Sequence, residues 1–134
     1  MAKTIILDDE FATLWFHERE KIVHHEFHKF IFGEPFHKVL NEALRVMKET
    51  GSEKWLSDDR KNAAISQEDQ EWLAKEWRPK ALESGWKYWA VVLPEKTVGR
   101  LSILRIFDTY REKTAIVADT FDDPTEAFAW LLQQ

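Results

Sequence analysis

The sequence predicts a single α/β domain, residues 1–134, with a mixed β-sheet of five to six strands and about four helices. Three observations support this prediction. The first 30 residues alternate apolar and polar side chains, as antiparallel strands do. The remaining hundred or so residues alternate strand-like runs with helical stretches, which is typical of β-α repeats around a largely parallel sheet. A chain of 134 residues is also long enough for one hydrophobic core.

Three strands open the chain, at residues 4–7, 11–16 and 22–30. The connections between them are short and polar, which favours antiparallel hairpins. A helical turn within residues 21–32 is the alternative for the third segment. As a strand, the third segment places alternate side chains on opposite faces: Val23, His25 and Phe27 on one, and His24, Glu26 and His28 on the other.

The first helix begins at Gly33-Glu34-Pro35, because proline is tolerated in the first helical turn. Gly51 ends it as a left-handed C-cap. A short buried strand at residues 55–56 and a loop at residues 60–65 follow. One apolar stripe at helical spacing marks the buried side of the helix: Phe36, Val39, Leu40, Ala43, Leu44 and Met47.

The second helix starts at Ser66, the predicted N-cap, and Asp69 three residues later completes a capping-box pattern. Pro79 lies inside this helix. Because proline has no backbone N–H, we expect the helix to bend or break near Arg78. Gly85 ends it.

Residues 86–93 are almost continuously apolar, which predicts a central strand covered on both faces and terminated by Pro94. Residues 97–111 form the next predicted helix, and residues 114–118 a β-branched strand. Residues 123–126, Asp-Pro-Thr-Glu, then start the last helix with an aspartate cap, a proline and a glutamate.

Composition narrows the classes of function. The net charge is −5 and the chain has no basic patch interleaved with aromatic residues, which argues against a nucleic-acid partner. Apolar runs such as residues 89–93 are too short to cross a membrane. No signal peptide is evident, and no cofactor is predicted. The absence of cysteine excludes disulfides, thiolate zinc sites and thiol catalysis. We expect a cytoplasmic protein.

The candidate binding residues follow the strand at residues 55–56. Ligands of α/β sheets bind beyond the carboxyl ends of the strands. Ser57, Asp58, Asp59 and Arg60 lie at such an end, and Ser66 begins the next helix. The alternative is local: Asp58 caps the turn and Arg60 pairs with it.

Two groups of side chains resemble metal ligands. Asp119, Asp122 and Asp123 would follow a neighbouring parallel strand and, with Asp58 and Asp59, offer oxygen ligands for Mg²⁺. Turn and cap roles account for each of these carboxylates singly, so no metal site is predicted. A cluster of histidines in the first third of the chain suggests a metal site or, preferably, a solvated pH-sensitive face: His17, His24, His25, His28 and His37.

The chain has seven tryptophans, and burial is the expected fate of most of them. Trp55, Trp86 and Trp89 fall on adjacent predicted strands, where they line a pocket or simply fill the core. Helix 97–111 is apolar over more than one face. It is therefore either a homodimer interface or covered on both sides within the monomer.

The chain resembles the SpoIIAA-like branch of the STAS fold, a family of small bacterial proteins related to anti-sigma-factor antagonists. Its element order carries the resemblance, together with the runs at residues 54–60, 66–69 and 85–88 and the closing Glu126-Ala127 and Trp130-Leu131. In antagonists of that family a partner kinase phosphorylates a serine at a helix start. The resemblance implies Ser66 for that role, or Ser57, although the family's Asp-Ser-Ser/Thr-Gly signature is absent.

Three functions remain open at this point. The preferred one is a non-catalytic regulatory module that binds a protein partner or a small ligand. The first alternative is a small metal-dependent or acid/base enzyme using Asp58, Asp59 and Arg60, with Arg60 stabilising charge. The second alternative is a structural subunit that works as a homodimer through helix 97–111.

Overall fold

The computed structural model describes residues 3–134, which fold around one six-stranded sheet whose strands lie side by side in chain order. The first three strands are antiparallel and the last four, counting β3 again, are parallel. The predicted mixed α/β sheet is therefore confirmed. The strands are β1 (Lys3–Asp8), β2 (Ala12–His17), β3 (Ile22–Phe27), β4 (Lys54–Asp58), β5 (Tyr88–Val92) and β6 (Val117–Phe121).

Helices cover both faces of the sheet. The helical elements are α1 (Glu34–Thr50), α2 (Gln67–Trp72), a π-helical segment (Leu73–Trp77), α3 (Arg78–Glu83), α4 (Thr97–Lys113) and α5 (Pro124–Leu132). The first five pack on what we call the front face, and α5 alone packs on the back face. None of the helices in the described part is both long and apolar enough to cross a membrane.

Strand alternation explains this three-layer arrangement. On the front face, Val23, Trp55 and Trp89 lie side by side in register on β3, β4 and β5. Leu56 and Ala90 are neighbours on the back face, where they pack with α5. Because β4 and β5 are buried on both faces, apolar side chains occupy both sets of alternate positions, as in residues 86–93.

Helix α1 confirms the predicted start and end. Pro35 lies in its first turn, and Gly51 adopts the left-handed conformation with φ of 72°. The Gly51 N–H donates to the Met47 carbonyl over 3.0 Å, so the C-cap satisfies one of the last helical carbonyls.

The predicted interruption near Arg78 is also confirmed, and it takes the form of the π segment. Pro79 cannot donate a backbone hydrogen bond, and its ring crowds the carbonyl four residues earlier. The turn before it, Leu73–Trp77, widens to π-helical bonding, and α3 then continues the helical path.

Two strands differ by three residues from their predicted bounds, the third strand at its end and the last strand at both ends. The third strand ends at Phe27 and not at residue 30, because the chain turns away at His28 toward α1. The last strand is Val117–Phe121 and not 114–118, because α4 continues to Lys113 and Thr114 is its C-cap. As the edge strand, β6 has little of the continuous burial that marks the inner strands.

Gly99 allows α4 to pack closely against two loops, those that contain Pro94 and Ala63. An added Cβ would lie 2.9 Å from the Pro94 Cβ and 3.1 Å from the Ala63 carbonyl oxygen, and neither the proline ring nor the backbone gives way easily. We expect Gly99→Ala to lower the free energy of unfolding by about 1–3 kcal/mol, because of this overpacking. In a helix position with free space, the same substitution raises the free energy of unfolding by about 1 kcal/mol. Urea unfolding measures this. Arg105→Ala, on the exposed side of α4, is the control; a more stable Gly99→Ala protein would contradict the expectation.

Candidate functional site

The run Ser57-Asp58-Asp59-Arg60 lies at the carboxyl end of β4, as predicted, but it divides between the two faces of the sheet. Ser57 and Asp59 line a cavity on the front face. Asp58 belongs to the alternate, back-facing positions and accepts two hydrogen bonds from Arg60, from Nε and Nη2, each 2.9 Å long. The local pairing of Asp58 with Arg60 is confirmed, so these four residues do not form one cluster.

The front-face cavity has a volume of about 50 Å³ and lies between the sheet, helix α1, the π-helical segment and helix α4. Trp55, Trp77, Trp86 and Trp89 all line it. The ring centroids of Trp55 and Trp77 are 5.1 Å apart, and those of Trp86 and Trp89 are 5.6 Å apart. The tryptophans of the adjacent strands therefore fill the core and also line a pocket.

His25 and Asp59 form a buried pair in the wall of this cavity. His25 Nε2 lies 2.9 Å from the Asp59 carboxylate, and the two residues are 3% and 4% exposed. Because a carboxylate accepts hydrogen bonds only, Nε2 carries the proton of this bond. In the neutral ring Nδ1 is then an acceptor, and it is buried without a partner among the described residues. The pair thus orients a buried histidine whose second nitrogen has no hydrogen-bond partner among the described residues.

A second unpaired polar group belongs to the same cavity wall. The indole N–H of Trp55 is buried without an acceptor, whereas the indole N–H of Trp89 donates to the Ser57 hydroxyl over 2.8 Å. Leaving a buried donor or acceptor unpaired costs about 1–3 kcal/mol, and such groups are few in folded proteins. A hydroxyl group can donate to a ring nitrogen and accept from an indole N–H, and the ring centroids of His25 and Trp55 lie 5.4 Å apart.

A crevice of about 170 Å³ lies beside the cavity, between the α2 and π-helical stretch and α4. Leu73, Ile106 and Tyr110 line both spaces and form the partition between them. Burial raises the pKa of the Tyr110 hydroxyl, so the tyrosine is neutral and contributes no charge to the partition. Arg78 also lines the crevice, and it is not among the residues that line the cavity.

The hydrogen bonds of Ser66 and Asp69 differ in part from the predicted capping box. The Ser66 hydroxyl accepts from the Asp69 backbone N–H over 3.1 Å, which confirms the N-cap. The Asp69 carboxylate, however, accepts from the Gly33 N–H over 3.0 Å and from His37 Nε2 over 2.9 Å. The predicted return bond from Asp69 to Ser66 is replaced by bonds to the start of α1. Phosphorylation of Ser66 stays a prediction.

The five histidines do not converge. His25 and His37 pair with two separate aspartates, His28 Nε2 lies 2.9 Å from the Thr13 hydroxyl, and His17 Nε2 lies 3.0 Å from His24 Nδ1. Among residues 3–134, no three His, Asp or Glu side chains lie close enough together to hold a metal ion.

The C-terminal aspartates are also separate. Asp119 lies within β6 and not beyond its end, because that strand runs further than predicted. Asp122 accepts from Arg100 over 3.0 Å, and Asp123 caps α5 through the Thr125 N–H. The cap assigned to Asp123 is therefore confirmed.

The His17–His24 pair predicts how stability responds to acid. Burial lowers the pKa of His24 to about 3, with positive charge on His17, His25, Lys3 and Arg60 acting in the same direction. Burial and Lys3 lower the pKa of His17, while Glu20 opposes them. The unfolded chain, with histidine pKa near 6.5, binds these protons first, so stability is full above pH 6.5 and falls toward pH 3.

For His24 alone we expect a loss of about 1 kcal/mol per pH unit below pH 6. His24→Gln should flatten this slope, as urea unfolding at pH 7, 6, 5 and 4 would measure. An equal slope in the wild-type and His24→Gln proteins would contradict the assignment.

Helix α4 buries most of its apolar surface within the chain. Ile103, Phe107 and Tyr110 are buried against the sheet, while Val98 and Leu101 near the N-terminal end are exposed. Most of the apolar arc of helix 97–111 is thus covered inside the monomer. The homodimer interface stays a prediction.

No protein-family model matches the chain, and no curated protein or solved structure matches it either. The resemblance to the SpoIIAA-like branch of the STAS fold accordingly stays a prediction.

His25 is the residue that sequence analysis missed as a pocket residue. The alternation of β3 could have indicated this role, because His25 lies between Val23 and Phe27 on the apolar face of the strand. A histidine buried on such a face needs a hydrogen-bond partner. The same alternation on β4 groups Trp55, Ser57 and Asp59 and separates them from Asp58.

Proposed function

We propose that this protein is a non-catalytic, regulatory binding module for a small, mainly apolar molecule that carries a hydroxyl group. The cavity on the front face is the binding site. One observation carries the proposal: His25 and Trp55 line the same tryptophan-rich cavity, and each has one ring nitrogen, Nδ1 and Nε1, that is buried without a hydrogen-bond partner among the described residues. Ligand sites typically combine an apolar lining with a few fixed polar groups of this kind.

The size of the cavity limits the ligand. A volume of about 50 Å³ holds about three to five groups of the size of a water molecule or a methylene. The cavity would therefore take the hydroxyl end of a ligand, and the remaining carbons of a longer chain would extend toward the neighbouring crevice of about 170 Å³. An apolar cavity that takes up benzene measures about 150 Å³. The volume therefore favours a narrow aliphatic chain over a planar ring at the inner end of the ligand.

Rigidity supports selective binding. Asp59 orients the ring of His25, so this polar contact is held by the protein before a ligand arrives, and Ser57 fixes the indole of Trp89 in the apolar wall. A preorganised site loses less side-chain entropy on binding. Removing the ligand's hydroxyl would leave both buried groups unpaired, which is the strongest basis for discrimination between small molecules.

A second candidate function is acid–base catalysis, and one observation favours it. Ser57, His25 and Asp59 all line the cavity, and His25 and Ser57 are register neighbours on β3 and β4. A nucleophile must be hydrogen-bonded to its base. The Ser57 hydroxyl instead accepts from Trp89, and no hydrogen bond joins it to His25 in the described part of the chain. Binding without chemistry is therefore the preferred function.

The test compares 1-hexanol with 1-methoxypentane, a chain of equal length that accepts hydrogen bonds but cannot donate one. Tryptophan fluorescence is the readout, because four tryptophans surround the cavity. The variant is His25→Gln, whose side-chain N–H₂ stands at the position of Nε2 and keeps the bond to Asp59 while Nδ1 is lost. His28→Gln is the matched control, since His28 does not line the cavity.

We expect the wild-type protein and His28→Gln to bind 1-hexanol about five- to tenfold more tightly than 1-methoxypentane. This difference in affinity corresponds to the contribution of one hydrogen bond. In His25→Gln the two affinities should become equal. Saturable binding of neither compound, or an unchanged preference in His25→Gln, would count against the proposal. Trp55→Phe provides an independent variant, and it should weaken the binding of both compounds.

A further inference from the structure

We propose that the crevice between the π segment and α4 is the mouth of the pocket, and that Arg78 there binds a carboxylate at the outer end of the ligand. This inference rests on the proposed function and extends it. The ligand class is then an aliphatic hydroxy acid, with its hydroxyl group at His25 and its carboxylate at Arg78.

The cavity and the crevice are contiguous. They share Leu73, Ile106 and Tyr110, so a change of position of the two aliphatic side chains would join about 50 Å³ to about 170 Å³. Leu73 begins the π segment. Short π-helical segments inside helices are frequent at functional sites, and this one forms the wall that a ligand would have to pass.

Arg78 has the properties of an anion site in the crevice. Its side chain is partly buried, and its guanidinium carbon lies 5.3 Å from the ring centroid of Tyr110. Arg78 forms no ion pair among residues 3–134, and the same is true of Arg19, Arg105 and Arg111. Of these four arginines, Arg78 is the one that lines the crevice. A guanidinium held against an aromatic face keeps its N–H fork free for a planar carboxylate, which it binds in a bidentate manner.

The other crevice residues are compatible with a carboxylate. None of them is acidic, and the polar ones are neutral: Gln70 donates to the Ile65 carbonyl and Thr109 donates to the Arg105 carbonyl. Because the whole chain carries a net charge of −5, its overall field does not attract anions. Affinity for a carboxylate must therefore come from Arg78 locally.

The experiment uses three probes of equal chain length: 6-hydroxyhexanoate, hexanoate and 1-hexanol. Each is titrated into the wild-type chain, Arg78→Met and Arg105→Met, with tryptophan fluorescence as the readout. Methionine keeps an apolar stem against Tyr110 and removes the charge. Arg105 lies on the exposed side of α4 and lines neither space, so its replacement controls for the loss of one positive charge.

We expect the wild-type protein to bind 6-hydroxyhexanoate at least tenfold more tightly than 1-hexanol. Arg78→Met should abolish that gain and leave 1-hexanol binding within twofold, while Arg105→Met changes neither affinity. In the wild-type protein, 1 M NaCl should weaken 6-hydroxyhexanoate binding several-fold and spare 1-hexanol. The salt titration needs no variant, so it tests whether the gain from the carboxylate is electrostatic even where Arg78→Met folds poorly, and the Arg78→Met titration then assigns the contact to Arg78.

The outcomes separate the two proposals. If 1-hexanol binds in a His25-dependent way and the carboxylate adds no affinity in wild type, the role of Arg78 is overturned and the proposed function stands. Binding of none of the three probes overturns both. If Arg78→Met still binds 6-hydroxyhexanoate more tightly than 1-hexanol, the anion site lies elsewhere and this inference is also overturned.

Discussion

Replacing Trp77 by alanine is expected to lower the free energy of unfolding by about 4–6 kcal/mol. Trp77 is 2% exposed, and its indole N–H donates to the Leu40 carbonyl over 2.8 Å. Replacing a buried aromatic residue by alanine costs about 3–5 kcal/mol of stability. The Leu40 carbonyl, left without its donor, adds about 1 kcal/mol to this cost. Since domains of this size are stable by about 5–15 kcal/mol in total, the variant should be close to unfolding at room temperature.

Two further variants show why the effect is large. Trp77→Phe keeps most of the apolar volume and loses the hydrogen bond, so it should cost about 1–3 kcal/mol. Trp15→Ala removes a tryptophan that is only partly buried on the back face, and it should cost less than half as much as Trp77→Ala. Urea unfolding curves measure all three. Equal losses for Trp77→Ala and Trp15→Ala would show that the wall of the cavity is not part of the rigid core.

Trp77→Ala also offers a positive test of the cavity. The deleted indole ring leaves a space that adjoins the existing cavity, where Trp55 and Trp86 contact the ring of Trp77. Free indole fits such a space, and a ligand that binds only the folded state raises stability with its concentration. Added indole should therefore raise the urea midpoint of Trp77→Ala and leave that of the wild-type protein unchanged.

The fold could be predicted from the sequence because most elements have local signals. Gly51 supplies the left-handed C-cap of α1, and Pro79 interrupts the second helical stretch close to Arg78. Edge elements have weaker signals. In β6 neither face is fully buried, so the pattern of side chains does not distinguish residues 114–118 from Val117–Phe121.

For the candidate site, only the position in the fold could be predicted. The cavity lies at the carboxyl end of β4, as predicted. Asp58 and Asp59 were equal candidates, however, and the alternation of side chains along the strand places them on opposite faces of the sheet. The partner of Asp59 is His25, 34 residues earlier in the chain. Contacts across such a separation depend on the register of β3 and β4, and no local pattern in the sequence contains that register.

The second large effect is expected at Asp69, which is 2% exposed. Its carboxylate accepts from the Gly33 N–H and from His37 Nε2, and both bonds connect the start of α2 to the start of α1. No side chain caps α1 at Gly33 itself, so Asp69 is the group that anchors this end of the helix. Asp69→Ala should lower the free energy of unfolding by about 2–4 kcal/mol, because two hydrogen bonds to a buried charge are lost.

Asp69→Asn tests whether the charge or the geometry matters. An amide has one acceptor oxygen in place of two, so one of the two bonds is lost and we expect about half the effect. Glu68→Ala, an exposed acid in the same helical turn, is the control and should change stability by less than about 0.5 kcal/mol. Urea unfolding gives these values. A cost for Asp69→Ala as small as that for Glu68→Ala would contradict the anchoring role.

Asp69 also connects this stability prediction to binding. Phe36 and Leu40 on α1 and Leu73 at the start of the π segment line the cavity together, and Asp69 joins the two helical stretches that carry them. If that connection fixes the width of the cavity, Asp69→Ala should weaken 1-hexanol binding several-fold under conditions where the protein remains folded. Unchanged affinity in a destabilised Asp69→Ala protein would show instead that the sheet residues, His25 and Trp55, define the site without help from the helices.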